Sequence, residues 1–212
     1  MKTKSKIIGA VIFALYPLLI FLLIFHSNIF HTSYRYNVYR ANIEDELHRA
    51  RIELIEEMDK YIHDVAPTSA LSGRAIFNVC DKHDIDVIFV LAQGELESHF
   101  GTKGLAAKTN SVFNVLAYDG RSANDMIKRG HGFKDPDDSI EPYIKLLKRS
   151  YLNTGKTEYD LMNNFVSSSG KRYASNENYE YQLRGIFKNI TNNTQIATLA
   201  GEYNKFKILA RK

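Results

Sequence analysis

The sequence predicts a mainly α (α+β) chain: a helical domain with a small β lobe, preceded by an N-terminal transmembrane helix. Three observations carry this. Residues 7–25 form one almost unbroken apolar run. Most later segments place apolar residues at helical spacing, residues 42–65 most clearly. Residues 102–134 instead break into short pieces punctuated by Gly, Asn and Asp.

The apolar run matches the roughly 20 residues needed to cross a bilayer core. Lys2, Lys4 and Lys6 precede it, so the positive-inside rule puts the N-terminus in the cytoplasm and the remainder on the extracytoplasmic or periplasmic side. Pro17 is tolerated in a membrane helix. No A-x-A-like cleavage site follows between His26 and Tyr39, which favours an uncleaved signal-anchor over a removed signal peptide. Residues 26–39 are polar and aromatic without periodicity and read as a juxtamembrane connector.

In residues 42–65, Ile43, Leu47, Leu54, Met58 and Ile62, flanked by Ala50 and Tyr61, share one stripe. Asn42 is the expected N-cap, and Pro67 ends the helix. Residues 69–83 predict a second helix, with Leu71, Ala75, Ile76, Val79 and Cys80 inward. Asp84-Ile85-Asp86 breaks the pattern and offers a cap. Residues 86–99 predict a helix apolar nearly all round, hence buried, with Gly101 as its stop. Val112 to Tyr118, followed by Asp119-Gly120, predicts a small β-hairpin. Asp135-Pro136-Asp137-Asp138 opens another helix, with Ile140, Tyr143, Ile144, Leu147 and Tyr151 on its stripe, although Pro142 is awkward within it. Helices are expected at residues 158–166 and 179–190, a loop at Ser167-Ser168-Ser169-Gly170, and a loosely held basic tail from Lys205.

Among 212 residues, 44% are hydrophobic and 25% charged, and the net charge is +4. That permits one sizeable domain with accessory segments. A mildly basic balance suits a polyanionic setting without choosing one. A single cysteine, Cys80, excludes an intrachain disulfide and reads as a small core residue. The scattered histidines form no H-E-x-x-H, and no G-x-S-x-G, P-loop or dinucleotide fingerprint is present. No metal, cofactor or nucleic-acid partner is therefore expected. Glu95 and His99, one turn apart, fit an ion pair or half a metal site, and the lack of a second ligand pair favours the ion pair.

The glutamates near the end of Leu91-Ala92-Gln93-Gly94-Glu95-Leu96-Glu97-Ser98-His99-Phe100-Gly101 remain. Apolar walls raise a carboxyl pKa, which is what a general acid requires. Periodicity does not separate Glu95 from Glu97, because that helix has no clean polar face.

The run from Ser72 to Phe113 resembles the glucosaminidase domain of bacterial peptidoglycan hydrolases, glycoside hydrolase family 73 and its Bax-like relatives. That family carries a pattern near L-A-Q-A-x-L-E-S-x-x-G, then L-A-x-x-x-N-N-L-F-G. Here the second segment reads Leu105-Ala106-Ala107-Lys108-Thr109-Asn110-Ser111-Val112-Phe113-Asn114. Residues 133–143 are similar to the family's F-x-x-Y-x-S-x-x-E-S-x-x-x-Y region. Arg172-Tyr173-Ala174 followed by Tyr179 is similar to its Y-A-x-x-x-x-Y segment. Asn110-Ser111 replaces the usual Asn-Asn, and Asn114 stands where Gly is common.

The resemblance implies a lysozyme-like domain acting on peptidoglycan glycan strands. It assigns the proton donor to Glu97 and a second acid to the β lobe, with Asp119 and Asp125 as candidates. It places Tyr173, Asn110, Phe113, Gln93 and Ser98 around the substrate. Lytic transglycosylases share a lysozyme-like helix with an E-S motif, but their G-L-M-Q signature is missing here. A non-catalytic peptidoglycan-binding or assembly module is the rival from another class. The expected layout is a cytoplasmic N-terminus (1–6), a signal-anchor (7–26), a connector and amphipathic helix (27–66), a glucosaminidase-like domain (67–193) and a basic tail (194–212).

Overall fold

A computed structural model describes residues 2–115, 122–129 and 132–211. Most side chains before residue 34, and that of Met126, lie outside this description. The chain divides into two compact units, Met1–His48 with Phe206–Lys212, and Arg49–Lys205.

The first unit holds most of one long helix, α1, which runs Lys2–Val65. The connector expected at residues 26–39 is therefore helical, and Asn42 is not a cap. The reason is that neither Gly nor Pro occurs between Pro17 and Pro67, so nothing removes a backbone donor or favours a break. Residues 7–25 fall almost wholly among those whose side chains are not described; among the described residues no helix is long and apolar enough to cross a membrane.

In the second unit, the end of α1 buries Leu54, Ile55, Met58 and Ile62. Helix α2 spans Gly73–His83. It starts four residues later than the sequence pattern suggests, because Ser72 caps it, its Oγ accepting from Ala75 N at 3.0 Å. Ser69 is held outside the helix, donating to the Phe100 carbonyl at 2.7 Å. Helix α1 is tied to this start: Asp59 Oδ1 accepts from Gly73 N at 2.5 Å. A Cβ on Gly73 would lie 2.8 Å from Asp59 N and 2.9 Å from Met58 Cβ. Only glycine lets the two helices approach so closely.

Helix α3 (Val87–Ser98) is the buried centre of the unit, with Ile88 through Gly94 enclosed. Asp84 closes α2 in the left-handed region, and Asp86 caps α3, accepting from Ile88 N at 2.7 Å. Short helices α4 (Ala106–Thr109) and α5 (Ala123–Lys128) follow. The expected β-hairpin is not found among the described residues, which contain no strand, only an isolated bridge between Val166 and Arg172. Val112, Phe113 and Val115 are β-formers, but they are buried in turns that Asn110 and Asn114 bend at φ 53° and 49°. Residues 116–121 lie outside the described set.

Asp135 caps a 3₁₀ turn, Pro136–Ser139, which leads into α6 (Ile140–Leu147). That lead-in puts Pro142 in the first turn of α6, where a missing N–H costs no intrahelical bond. A π-helical turn, Lys148–Leu152, extends α6. Helix α7 (Glu158–Asn163) opens with a reciprocal Thr157–Asp160 capping box. Helix α8 (Tyr179–Asn193) packs on α3 and α7. Helix α9 (Ile196–Ala210) takes up most of the tail expected to be loose; its Tyr203 ring meets Phe77 edge-on at 4.9 Å, and its hydroxyl donates to Asp81 at 2.9 Å.

Candidate active site

The site grows from the end of α3. The helix closes not at Gly101 but two residues earlier: His99, Phe100 and Gly101 take φ values of 52°, 54° and 82°. The chain wraps back, with His99 N donating to Glu95 O and Phe100 N to Gly94 O. Gly94 leaves space for the Phe100 ring, which would lie 3.2 Å from a Cβ there. The expected Glu95–His99 ion pair is not made; instead the Tyr61 hydroxyl donates a short hydrogen bond to Glu95 Oε2.

Ser98 braces the reversal. Its Oγ accepts from Gly101 N at 2.7 Å and donates to Val112 O at 2.6 Å. This clamps residues 111–115 against the end of α3 and brings Asn114 over it. Asn114 Nδ2 donates to the Glu97 carbonyl at 2.9 Å and to Glu97 Oε2 at 3.3 Å. From the other side, Tyr179, the first residue of α8, donates its hydroxyl to Glu97 Oε1 at 2.7 Å. Two neutral donors thus hold one carboxyl group from opposite elements.

Burial raises the Glu97 pKa above its ordinary value; the hydrogen bonds from Tyr179 and Asn114 oppose the rise without cancelling it. An aromatic cluster supplies that burial. Tyr173 lies 5.6 Å from Tyr179 and 4.4 Å from Phe165 between ring centres. Burial also pushes the phenols of Tyr143, Tyr173 and Tyr179 up, with the nearby Glu97 carboxylate adding to the effect. They stay neutral hydroxyls across the physiological range.

Several residues expected to contact substrate are bonded within this frame. Gln93 is fully buried and accepts from Tyr143 OH at 2.9 Å. Ser98 is buried and used on backbone groups, as described above. Phe113 is buried and stacked on Tyr143 at 4.1 Å. The side chains of these three are enclosed, and their partners lie within the frame around Glu97. Asn110 donates to the carbonyls of Phe133 and Lys134, both at 3.1 Å, and so pins the segment before the 3₁₀ turn. Tyr173 is half-buried beside Tyr179, its hydroxyl donating to Phe113 O at 3.3 Å. Asp125 is exposed in the first turn of α5 and accepts from Ser122 Oγ at 2.9 Å. Asp119 lies outside the described residues.

A family model described as Glucosaminidase: Mannosyl-glycoprotein endo-beta-N-acetylglucosaminidase matches residues 73–192. The chain belongs to the glucosaminidase family. The matched segment opens at the first residue of α2 and holds Glu97, Asn114, Tyr173 and Tyr179. Two relatives, from two strains of Streptococcus pneumoniae and each named "Putative endo-beta-N-acetylglucosaminidase", are 26% identical over 138 residues, or 64% of this chain. The chain spans about a fifth of the length of these curated relatives, 20% and 19% respectively.

Sequence reasoning did not assign roles to the two donors on this glucosaminidase carboxyl. Asn114 registered only as a departure from Gly, and Tyr179 only as the end of a Tyr-Ala segment and the start of an expected helix. The one usable signal was that an Asn in place of Gly keeps the left-handed turn while adding an amide. Tyr61 of α1 was missed because its partner lies 34 positions away.

Proposed function

We propose that this chain is a glycoside hydrolase of the endo-β-N-acetylglucosaminidase type, cutting the glycan strand of peptidoglycan with Glu97 as general acid. The observation that carries the proposal is the Glu97 carboxyl itself: drawn out of water, its pKa raised, and faced by two neutral donors. Protonated, it can release its proton to a glycosidic oxygen as the C–O bond breaks. Oε2, which Asn114 reaches only at 3.3 Å, is the less firmly held oxygen and the better exit for that proton. Tyr179 and Asn114 already point at the carboxylate left behind, so stabilising it needs no reorganisation. The oxocarbenium-like transition state requires further help from a second carboxylate or the substrate's own acetamido group. Asp119 and Asp125 are the acids proposed for that role.

We also assign residues 7–25 to an uncleaved membrane anchor that places the enzyme on the extracytoplasmic side. The support is the length of the apolar run and the three lysines before it.

The test is Glu97→Gln, assayed for release of reducing sugar from purified peptidoglycan. Loss of about 100- to 10,000-fold in rate with folding intact is expected for a general acid. Full activity in that variant overturns the assignment. Mass analysis of the products, showing reducing N-acetylglucosamine ends rather than anhydro-muramyl ends, separates hydrolysis from transglycosylation. Deletion of residues 1–26 should release the protein from the membrane fraction; unchanged sedimentation with membranes refutes the anchor.

A further inference from the structure

We propose that Tyr151 is a glycan-binding residue flanking Glu97, its hydroxyl held open to hydrogen-bond a sugar. The inference rests on the glycan-hydrolase reading above and extends it to a residue outside every motif quoted for the family.

Its starting point is the turn that carries this side chain. Helix α6 buries Ile140, Tyr143, Ile144 and Leu147 along one stripe. At ordinary helical spacing, Tyr151 is the next member, four residues after Leu147. The π-helical turn Lys148–Leu152 inserts one residue at this point. One residue corresponds to a rotation of about 100°. The rotation takes Tyr151 from the core line to its rim, where it is half-buried. π-Helical turns recur at functional sites because they re-aim a side chain in this way. The turn is not slack: Ser168 N donates to Ser150 O at 3.1 Å, tying it to the 167–170 loop.

The ring is then fixed on the aromatic cluster beside Glu97. It meets Phe165 edge-on at 5.2 Å and Tyr173 at 5.5 Å. Both contact Tyr179, which donates to Glu97. Tyr151 is thus one ring removed from the residue bonded to the proton donor.

The hydroxyls divide the cluster. Tyr143 donates to Gln93, Tyr173 to the Phe113 carbonyl and Tyr179 to Glu97. Among the described residues, the Tyr151 hydroxyl has no protein partner, and it is not sealed from solvent. Packing alone needs only the ring, so phenylalanine would serve equally well there. A hydroxyl at the rim of an aromatic wall suits a ligand with apolar C–H faces and many hydroxyl and amide groups, which describes an N-acetylhexosamine chain.

The experiment titrates soluble N-acetylglucosamine oligomers into the full chain carrying Glu97→Gln, with and without Tyr151→Phe, by calorimetry. The ring stays, so the packing on Phe165 and Tyr173 is kept, and near-ultraviolet circular dichroism checks it. Loss of one neutral hydrogen bond should weaken binding by about two- to tenfold. In the active chain, Tyr151→Phe should raise KM for peptidoglycan by a similar factor. Binding unchanged by Tyr151→Phe overturns the proposal. That outcome is separable from failure of the general-acid assignment, which shows as activity retained in Glu97→Gln whatever Tyr151 does.

Discussion

Replacing Tyr179 by Phe removes one atom, the hydroxyl that donates to Glu97 Oε1 at 2.7 Å. The ring keeps its places beside Phe165 and Tyr173. The hydrogen bond stabilises the ionised carboxylate, so its loss must raise the Glu97 pKa further. A hydrogen bond to a charged group is worth about 1.5–3 kcal/mol. About 1.4 kcal/mol corresponds to one pH unit. The Glu97 pKa should therefore rise by roughly one to two pH units. Asn114 remains as the second, longer donor. A general acid must be protonated in the free enzyme, so kcat/KM falls as pH rises through its pKa. In Tyr179→Phe that alkaline fall should come about one to two pH units later than in the parent. The plateau below it should be lower, since the carboxylate formed on proton transfer has lost a donor. The assay is reducing-sugar release from purified peptidoglycan, measured as kcat/KM across pH. A limb that stays in place, or moves to lower pH, refutes the assignment of Glu97 and of its partner.

Thermal unfolding across pH gives a second check. A raised folded-state pKa means that Glu97 contributes stability below its unfolded value near 4.5, which is lost as pH rises through the folded value. Glu97→Gln should therefore be at least as stable as the parent at pH 7 and should flatten this fall; a variant less stable at pH 7 contradicts the burial argument. Ser98→Ala leaves the Val112 carbonyl and Gly101 amide without their shared partner, and should cost about 1–3 kcal/mol in denaturant unfolding. Gly73→Ala forces a Cβ against Asp59 and Met58 of α1 and should cost about 1–3 kcal/mol by the same method. A fragment limited to the family segment, residues 73–192, should fail to unfold cooperatively, whereas residues 49–205 should do so. The shorter piece lacks buried Leu54, Met58, Ile62, Ile196 and Tyr203. A sharp calorimetric transition in the shorter fragment counts against that boundary.

Periodicity was a sound guide wherever one face of a helix meets the core. Ile43, Leu54, Met58 and Ile62 are buried as their spacing requires, and so are Ile140, Tyr143, Ile144 and Leu147, whereas Leu47 and Tyr151 of the same stripes are only half-buried. Caps carried by local side chains were also legible, Asp86 and Asp135 among them. Local reasoning failed where a distant partner decides the backbone. The stretch around Val112 and Phe113 has strand-forming residues, yet Ser98 and two left-handed asparagines fold it into turns. The enclosure of Gln93 and Ser98, both expected beside the substrate, was not legible from the sequence. Burial is a property of the assembled layers, which no spacing along one helix reveals.

The amino-acid order by itself determined a helical chain with an apolar N-terminal run, and it singled out Glu97 only through the resemblance of its L-E-S segment to the glucosaminidase family. It left Glu95 and Glu97 equivalent on physical grounds, because a helix apolar on every side has no face that points to chemistry. Only the tertiary structure separated them, giving Glu95 to Tyr61 of α1 and Glu97 to Asn114 and Tyr179. Tyr179 reaches Glu97 across 82 positions of sequence. The properties of a carboxyl group depend on which donors and how much water surround it, and packing over such distances sets both.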